Sequence, residues 1–432
     1  MFKNDWGNIC DRVDTCALTG AAAFFAGIPK AEVLVNGPLW CYFYALRHLE
    51  HAVYNMADRF HGSQPDNSAI VYGTEKFLTE ALQRLLYDGH TPDVLLIENS
   101  CSIGLIGDDL AGIARKLQLP FPVVTMDSGG LNGGFAEGYT KACISLLNKF
   151  AVDKPGQYHD KTINLLGISD FYYNGVSDRK EVCRIAANSG YRINCVPGGG
   201  STLEQLKHIG DAALNVVCCE ELGLNIALYL QERYGTPYVC AGVPYGIEGT
   251  QKWIECINAM LPCTDMAVIL NECEKMQQRL TAWNNDIRCT WGDLWFDNVV
   301  VSAPGTTALC MGEAVCREWA DMGRLTVICQ QPVIENNYCT TADTILTTGK
   351  DFTKIDEYFK DIDNVLVLGS SSESSLLWRR SCCHFSSCNI AYPANDGVLF
   401  TDTPFMGIKG SAHMQQRLWN IFIRSVLAKQ GR

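Results

Sequence analysis

The sequence is short of basic residues: 35 Lys and Arg stand against 47 Asp and Glu, a formal net charge of −12. A surface that neutralises phosphate backbones needs the opposite balance, so nucleic acid is not expected as a partner. Proline is sparse, at 15 residues, and only 19% of residues are charged against 47% hydrophobic, which excludes disordered and collagen-like chains. No run of 18 apolar residues occurs, so no helix is expected to span a membrane. Met1–Cys10 holds no apolar stretch behind a basic start, and export is not expected either.

Several catalytic signatures are missing as well. No G-x-G-x-x-G follows a strand-like run, and the glycines at 129–130, 133–134 and 198–200 have the wrong spacing for a dinucleotide turn; they read as flexible turns. There is no G-x-x-x-x-G-K-S/T, so any ATP chemistry must lie on another chain. G-x-S-x-G is absent, and the eight His form no H-E-x-x-H or H-x-x-E-H pair, which argues against a zinc hydrolase.

What is plentiful is cysteine, 21 in 432 residues. Most of these thiols sit in apolar stretches such as Val216–Cys219 or Val327–Cys329, where Cys behaves as a small core hydrophobe. Without an export signal, a reducing cytoplasm is the expected setting. At about 150 residues per domain, the length predicts about three domains. Short β-rich runs ending in Gly, Ser, Asn or Pro alternate with stretches of helical spacing, the pattern of βα units with buried parallel strands. The clearest runs are 93–100, 121–127, 164–169, 214–220, 237–244, 298–304, 325–332 and 364–370. Polar stretches at Val152–Thr162 and Ala282–Asp297 separate them into three groups. The expected architecture is therefore three doubly wound parallel-sheet α/β domains, at 1–155, 156–290 and 291–432. In such sheets ligands gather beyond the carboxyl ends of the strands.

Three cysteines stand apart because they lie at glycine-bearing junctions: Cys16 in DTCALTG, Cys41 in NGPLWC and Cys101 in ENSCSIGLIGDD, with spacings of 25 and 60. Cys101 follows a predicted strand, and Asp108 and Asp109 suit the start of the next helix. Thiolates brought together by folding could hold an iron–sulfur cluster, and the alternative is three separate core cysteines. Cys382–Cys383–His384 with Cys388 is the one compact Cys/His group; without a second ligand pair it reads as an ordinary Cys-rich segment.

Those three segments resemble the cluster-ligand segments of the nitrogenase component 1 family. The likeness continues in Val71–Glu75, in Leu214–Glu220 with Tyr234–Pro237 and Gly246–Thr250, and in Gly369–Ser372 and Pro404–Gly410, so it covers essentially the whole chain. It implies three Rossmann-like domains and an iron–sulfur oxidoreductase subunit fed by a separate ATP-hydrolysing iron–sulfur reductase. Cys16, Cys41 and Cys101 would hold a cluster where the chain meets a homologous or identical subunit. A 4Fe–4S cluster needs a fourth ligand, from the partner, a carboxylate or Cys10, which itself reads as an ordinary cysteine; three thiolates from each of two chains would hold a larger, P-cluster-like double cluster.

The same resemblance puts Cys219 at the position of an active-site cofactor ligand, beside the alternative of a buried strand cysteine, and Met406 where the family has a histidine. A second, cavity-bound metal cofactor would rest on these two. Glu220 and Glu221 beside Cys219 read either as proton donors or as first-turn helix residues. Tyr139 stands where dinitrogen-reducing members have a cavity histidine, and Asn36 and Trp40 replace the usual His and Gly around the second cysteine. A thioether is a softer, weaker ligand than imidazole. Reduction of a small-molecule or tetrapyrrole-like substrate other than dinitrogen is therefore expected, the alternative being a scaffold for cofactor assembly.

Overall fold

The computed structural model describes residues 15–429 apart from 53–54, 154–159, 264, 332–337, 361, 383 and 400. Cys10 and Cys383 thus lie outside the described residues. Thirteen strands within them form three sheets in which every pairing is parallel. The first holds β1 (Ala31–Asn36), β2 (Phe60–Gly62), β3 (Val94–Asn99) and β4 (Val123–Asp127) in the order β2-β1-β3-β4. The second orders β5 (Thr162–Leu166), β6 (Arg192–Cys195), β7 (Leu214–Val217) and β8 (Tyr238–Cys240) as β6-β5-β7-β8. The third contains β9 (Trp295–Ala303), β10 (Asp321–Cys329), β11 (Thr344–Thr347), β12 (Val365–Gly369) and β13 (Phe385–Asn389), ordered β11-β10-β9-β12-β13.

Central strands such as VLLIEN and VLVLG are buried along their whole length because helices cover both faces, and this is why they read as unbroken apolar runs. Each of the eight expected runs overlaps a strand. Five strands were not anticipated. Four of these, β2, β6, β11 and β13, are sheet edges whose sequences carry polar residues, as in RINC and FSSCN. The fifth, β1, is central, but its apolar run is interrupted by Glu32.

The first two sheets share one core, threaded by the helix Ala17–Ala26, all of whose residues are buried. This helix packs on Phe135–Phe150 at backbone contact. A Cβ on Gly20 would lie 1.9 Å from the Phe135 carbonyl oxygen, and one on Gly138 1.9 Å from that of Ala17. Gly20, the last residue of the Cys-x-x-x-Gly pattern, is therefore a packing requirement that fixes where Cys16 sits. The polar stretch Ala282–Asp297 is no loop: the helix Met266–Trp291 runs through most of it and β9 starts at Trp295. Asn284 in that helix bonds Gln415 and Trp419 of the final helix Gly407–Lys429, at 2.8 Å each. The final helix buries Ile408 in the second sheet's core and Met414, Leu418 and Trp419 in the third's.

Candidate functional site

The three singled-out cysteines meet at the carboxyl edge of the first sheet. Cys16 precedes the helix Ala17–Ala26, Cys41 lies in the first turn of Leu39–Leu49 just after β1, and Cys101 opens the helix Cys101–Ile106 directly after β3. Their common neighbour is the Gly129–Gly130 turn after β4. The Gly130 amide donates to Cys101 Sγ at 2.8 Å. A Cβ on Gly130 would lie 3.2 Å from Cys16 Cβ and 3.6 Å from Cys101 Sγ, and one on Gly129 would strike the Cys101 amide at 2.5 Å. These glycines are thus a tight backbone cradle, where flexible turns had been expected. Cys16 and Cys101 are exposed and Cys41 is half-buried; burial, then the two neighbouring thiols, push the Cys41 thiol up. Among the described residues the one donor trio lying mutually within 4.8 Å is a different one, Glu32, His61 and His90. The wider thiol arrangement suits a multi-iron cluster, whose irons each take one thiolate, better than a single ion.

A buried polar row supports the cradle. Asn36, Asn99 and Asp127 are in register across β1, β3 and β4. Asn36 Nδ2 donates to Asn99 Oδ1 at 2.9 Å and to Thr74 Oγ1 at 2.8 Å, and Asn99 Nδ2 donates to Asp127 Oδ1 at 2.7 Å. Ser63 Oγ donates to Asn36 Oδ1, and Thr74 passes its hydroxyl to Asp108. Asp109, as expected, caps the next helix by accepting from the Gly112 amide. Glu98, fully buried beside this row, accepts from Ser128 at 2.6 Å through one oxygen while the other has no hydrogen-bond partner; burial raises its carboxyl to about 8. It is a protonated acid at neutral pH. Around the thiols the surface is apolar: Leu39, Trp40, Phe43 and Tyr44 flank Cys41, Leu105 follows Cys101, and Leu131 follows Gly130, all exposed.

Cys219 and Met406 come together elsewhere, in a cavity of about 60 Å³ between the carboxyl ends of the second and third sheets. Its wall includes Phe135, Tyr172, Tyr173, Tyr245 and Tyr392 but no Lys or Arg. Burial, reinforced by Glu221, raises the Cys219 thiol well above its ordinary value. His48, also in the wall, is depressed to about 4 by burial and is neutral. Asp178 lines the cavity too; it accepts from the Phe405 and Met406 amides at 2.6 and 2.9 Å, and burial raises its carboxyl to about 7. Two larger clefts of about 470 and 580 Å³ adjoin this cavity and share Tyr392 with it. Thr15, next to Cys16, lines both the cavity and the larger cleft.

Residues 16–423 match the model of the nitrogenase component 1 type oxidoreductases. The chain belongs to that family. Relatives include the nitrogenase iron–molybdenum cofactor biosynthesis protein NifE of Clostridium pasteurianum, 26% identical over 64% of this chain and 59% of that protein. Another is a light-independent protochlorophyllide reductase subunit of Heliobacterium modesticaldum, 25% identical over 56% of this chain and 46% of that protein. The matched region thus spans about half the length of these curated relatives. The solved structure of nitrogenase Cp1 at pH 6.5 superposes with a TM-score of 0.76 at 15% identity, covering 99% of this chain and 94% of that one, a likeness of fold.

Within this component 1 fold, the thiol cradle fits an iron–sulfur cluster: three accessible thiols, a cradle that admits no Cβ, and a polar row holding the cysteine-bearing segments in place. The inner cavity brings Cys219 and Met406 together, but its free space of about 60 Å³ and a wall without Lys or Arg offer an anionic cluster little room and no cationic side chain. Tyr139 is not a cavity residue; it is fully buried, donates to the Pro197 carbonyl at 2.8 Å and packs on Phe24. Glu220 and Glu221 are taken up structurally, by Tyr338 and Thr306. His384 pairs with Asp363, and no metal-binding group gathers around Cys382 and Cys388 among the described residues. Sequence reasoning missed Thr15, His48 and Asp178; an acid in the first turn of the helix Gly175–Asn188 carries no local sign that residue 405 will fold over it.

Proposed function

We propose that the chain is one subunit of a nitrogenase-like component 1 oxidoreductase. In it Cys16, Cys41 and Cys101 hold an iron–sulfur cluster against a homologous or identical subunit. A separate ATP-hydrolysing iron–sulfur reductase supplies the electrons, and a small-molecule or tetrapyrrole-like substrate other than dinitrogen receives them. The observation that carries this reading is the shared wall: Thr15 lines the aromatic cleft, and its neighbour Cys16 belongs to the thiol trio. When bound, the cluster supplies electrons singly.

The chain's own residues do the rest. The cleft of about 580 Å³ has the volume of a ligand site, and Tyr392, Phe43 and Tyr44 offer flat faces to a conjugated ring. The apolar rim around the cysteines excludes water once a partner covers it. Asp178, raised to about 7, is about half-protonated at neutral pH where the cleft narrows into the inner cavity, so it can exchange a proton with a substrate edge reaching it.

A second reading, a scaffold for cofactor assembly, is favoured by the likeness to NifE. One experiment separates the two. The anaerobic protein is combined with an ATP-hydrolysing iron–sulfur reductase and a tetrapyrrole, and absorbance is followed beside an apo-acceptor protein. ATP-dependent bleaching that Cys16→Ala abolishes supports the reductase. Iron passing to the acceptor with no change in the tetrapyrrole supports the scaffold instead.

A further inference from the structure

At the opposite, amino end of the first sheet, three residues distant in sequence close on one another. Glu32 lies on β1, His61 on β2, and His90 in the turn after the helix Glu75–Tyr87. His61 Nε2 is 2.9 Å from Glu32 Oε2 and His90 Nδ1 is 3.0 Å from Glu32 Oε1, across separations of 29 and 58 residues. The two imidazoles meet edge to face with centroids 4.9 Å apart. We propose that Glu32, His61 and His90 form a site for a divalent first-row metal ion, of the class of zinc or iron(II).

The chemistry of the donors supports this. Two imidazole nitrogens and one carboxylate are the ligand set that such borderline ions take, leaving further positions for water. Their atoms lie mutually within 4.8 Å, the only such group among the described residues. Glu32 is a buried carboxylate, and a buried charge needs a partner. Arg59, the nearby cation, attracts Glu32 through space but directs its guanidinium hydrogen bonds to the carbonyls of Ala26, Ile28 and Ala31, not to the carboxylate. Both His side chains remain partly exposed, and a cleft of about 190 Å³ lined by Tyr42, His61, Gln64, Arg84 and Asp88 gives an ion a way in. Glu32 lies four residues of strand, about 13 Å, before Asn36 of the polar row that supports the thiol cradle. The two sites are separate, and this inference does not depend on the cluster.

The test uses Mn²⁺, which thiolates hold poorly and imidazole with carboxylate hold adequately. Protein dialysed anaerobically against a chelator is titrated with Mn²⁺, and free ion is counted by electron paramagnetic resonance. Wild type and Cys101→Ala should each bind one equivalent. Glu32→Gln, which keeps the side chain's shape, and His90→Ala, in a surface turn, should each bind more than about tenfold more weakly, with unchanged circular dichroism and unchanged iron and sulfide. Wild type that binds no equivalent, variants that bind like wild type, or loss of binding in Cys101→Ala would each overturn the site.

Discussion

A trio of cysteines and a single one elsewhere in this molecule share a side chain and differ in everything around it. Cys16, Cys41 and Cys101 lie at an accessible sheet edge, on a glycine cradle and above a hydrogen-bonded polar row. Cys219 lies at an equally suggestive place, the end of β7, yet it is buried among aromatic rings with its thiol held protonated. The comparison teaches that position at a strand's carboxyl end does not by itself give a thiol solvent access, neighbouring thiols or room for a bound group.

The comparison can be broken hardest at the cradle. Gly129→Val would drive a side chain into the Cys101 amide, and we expect complete loss of bound iron with the fold retained by circular dichroism. Cys219→Ala is the converse: iron content should match wild type, while the lost core volume costs about 1–2 kcal/mol in urea unfolding. Iron lost from that variant would put a metal in the cavity after all. The smallest effect is electrostatic. Glu98 is raised from an ordinary 4.5 to about 8, so its contribution to stability is full below pH 4.5 and is lost as pH rises towards 8. Glu98→Gln should flatten that slope and leave the variant more stable than wild type at pH 9, read from urea midpoints at pH 5 and 9.

Strands buried on both faces were legible in the sequence because their burial writes an unbroken apolar run, as in VLLIEN. The edge strands β2, β6, β11 and β13 were not, since polar residues break their runs, as in RINC. The central β1 escaped for a more instructive reason: Glu32 and Asn36, which interrupt its pattern, are the residues that reach the imidazole pair and the polar row. The thiol trio was legible because glycine junctions mark places where backbone must approach backbone. His61 and His90 looked scattered because nothing local announces a contact made across 29 or 58 residues. Asp178 was not singled out for the same reason, its partners lying 227 and 228 residues away.

The most direct test of the account is iron and sulfide analysis with low-temperature electron paramagnetic resonance, before and after dithionite. It is applied to anaerobically purified protein with any co-purifying partner, beside Cys101→Ala. About four irons per interface site, with a reduction-dependent signal absent from Cys101→Ala, is the predicted result. A colourless, well-folded, metal-free protein from its native host, indistinguishable from the variant, would contradict it and leave a thiol-rich binding protein on a component 1 fold.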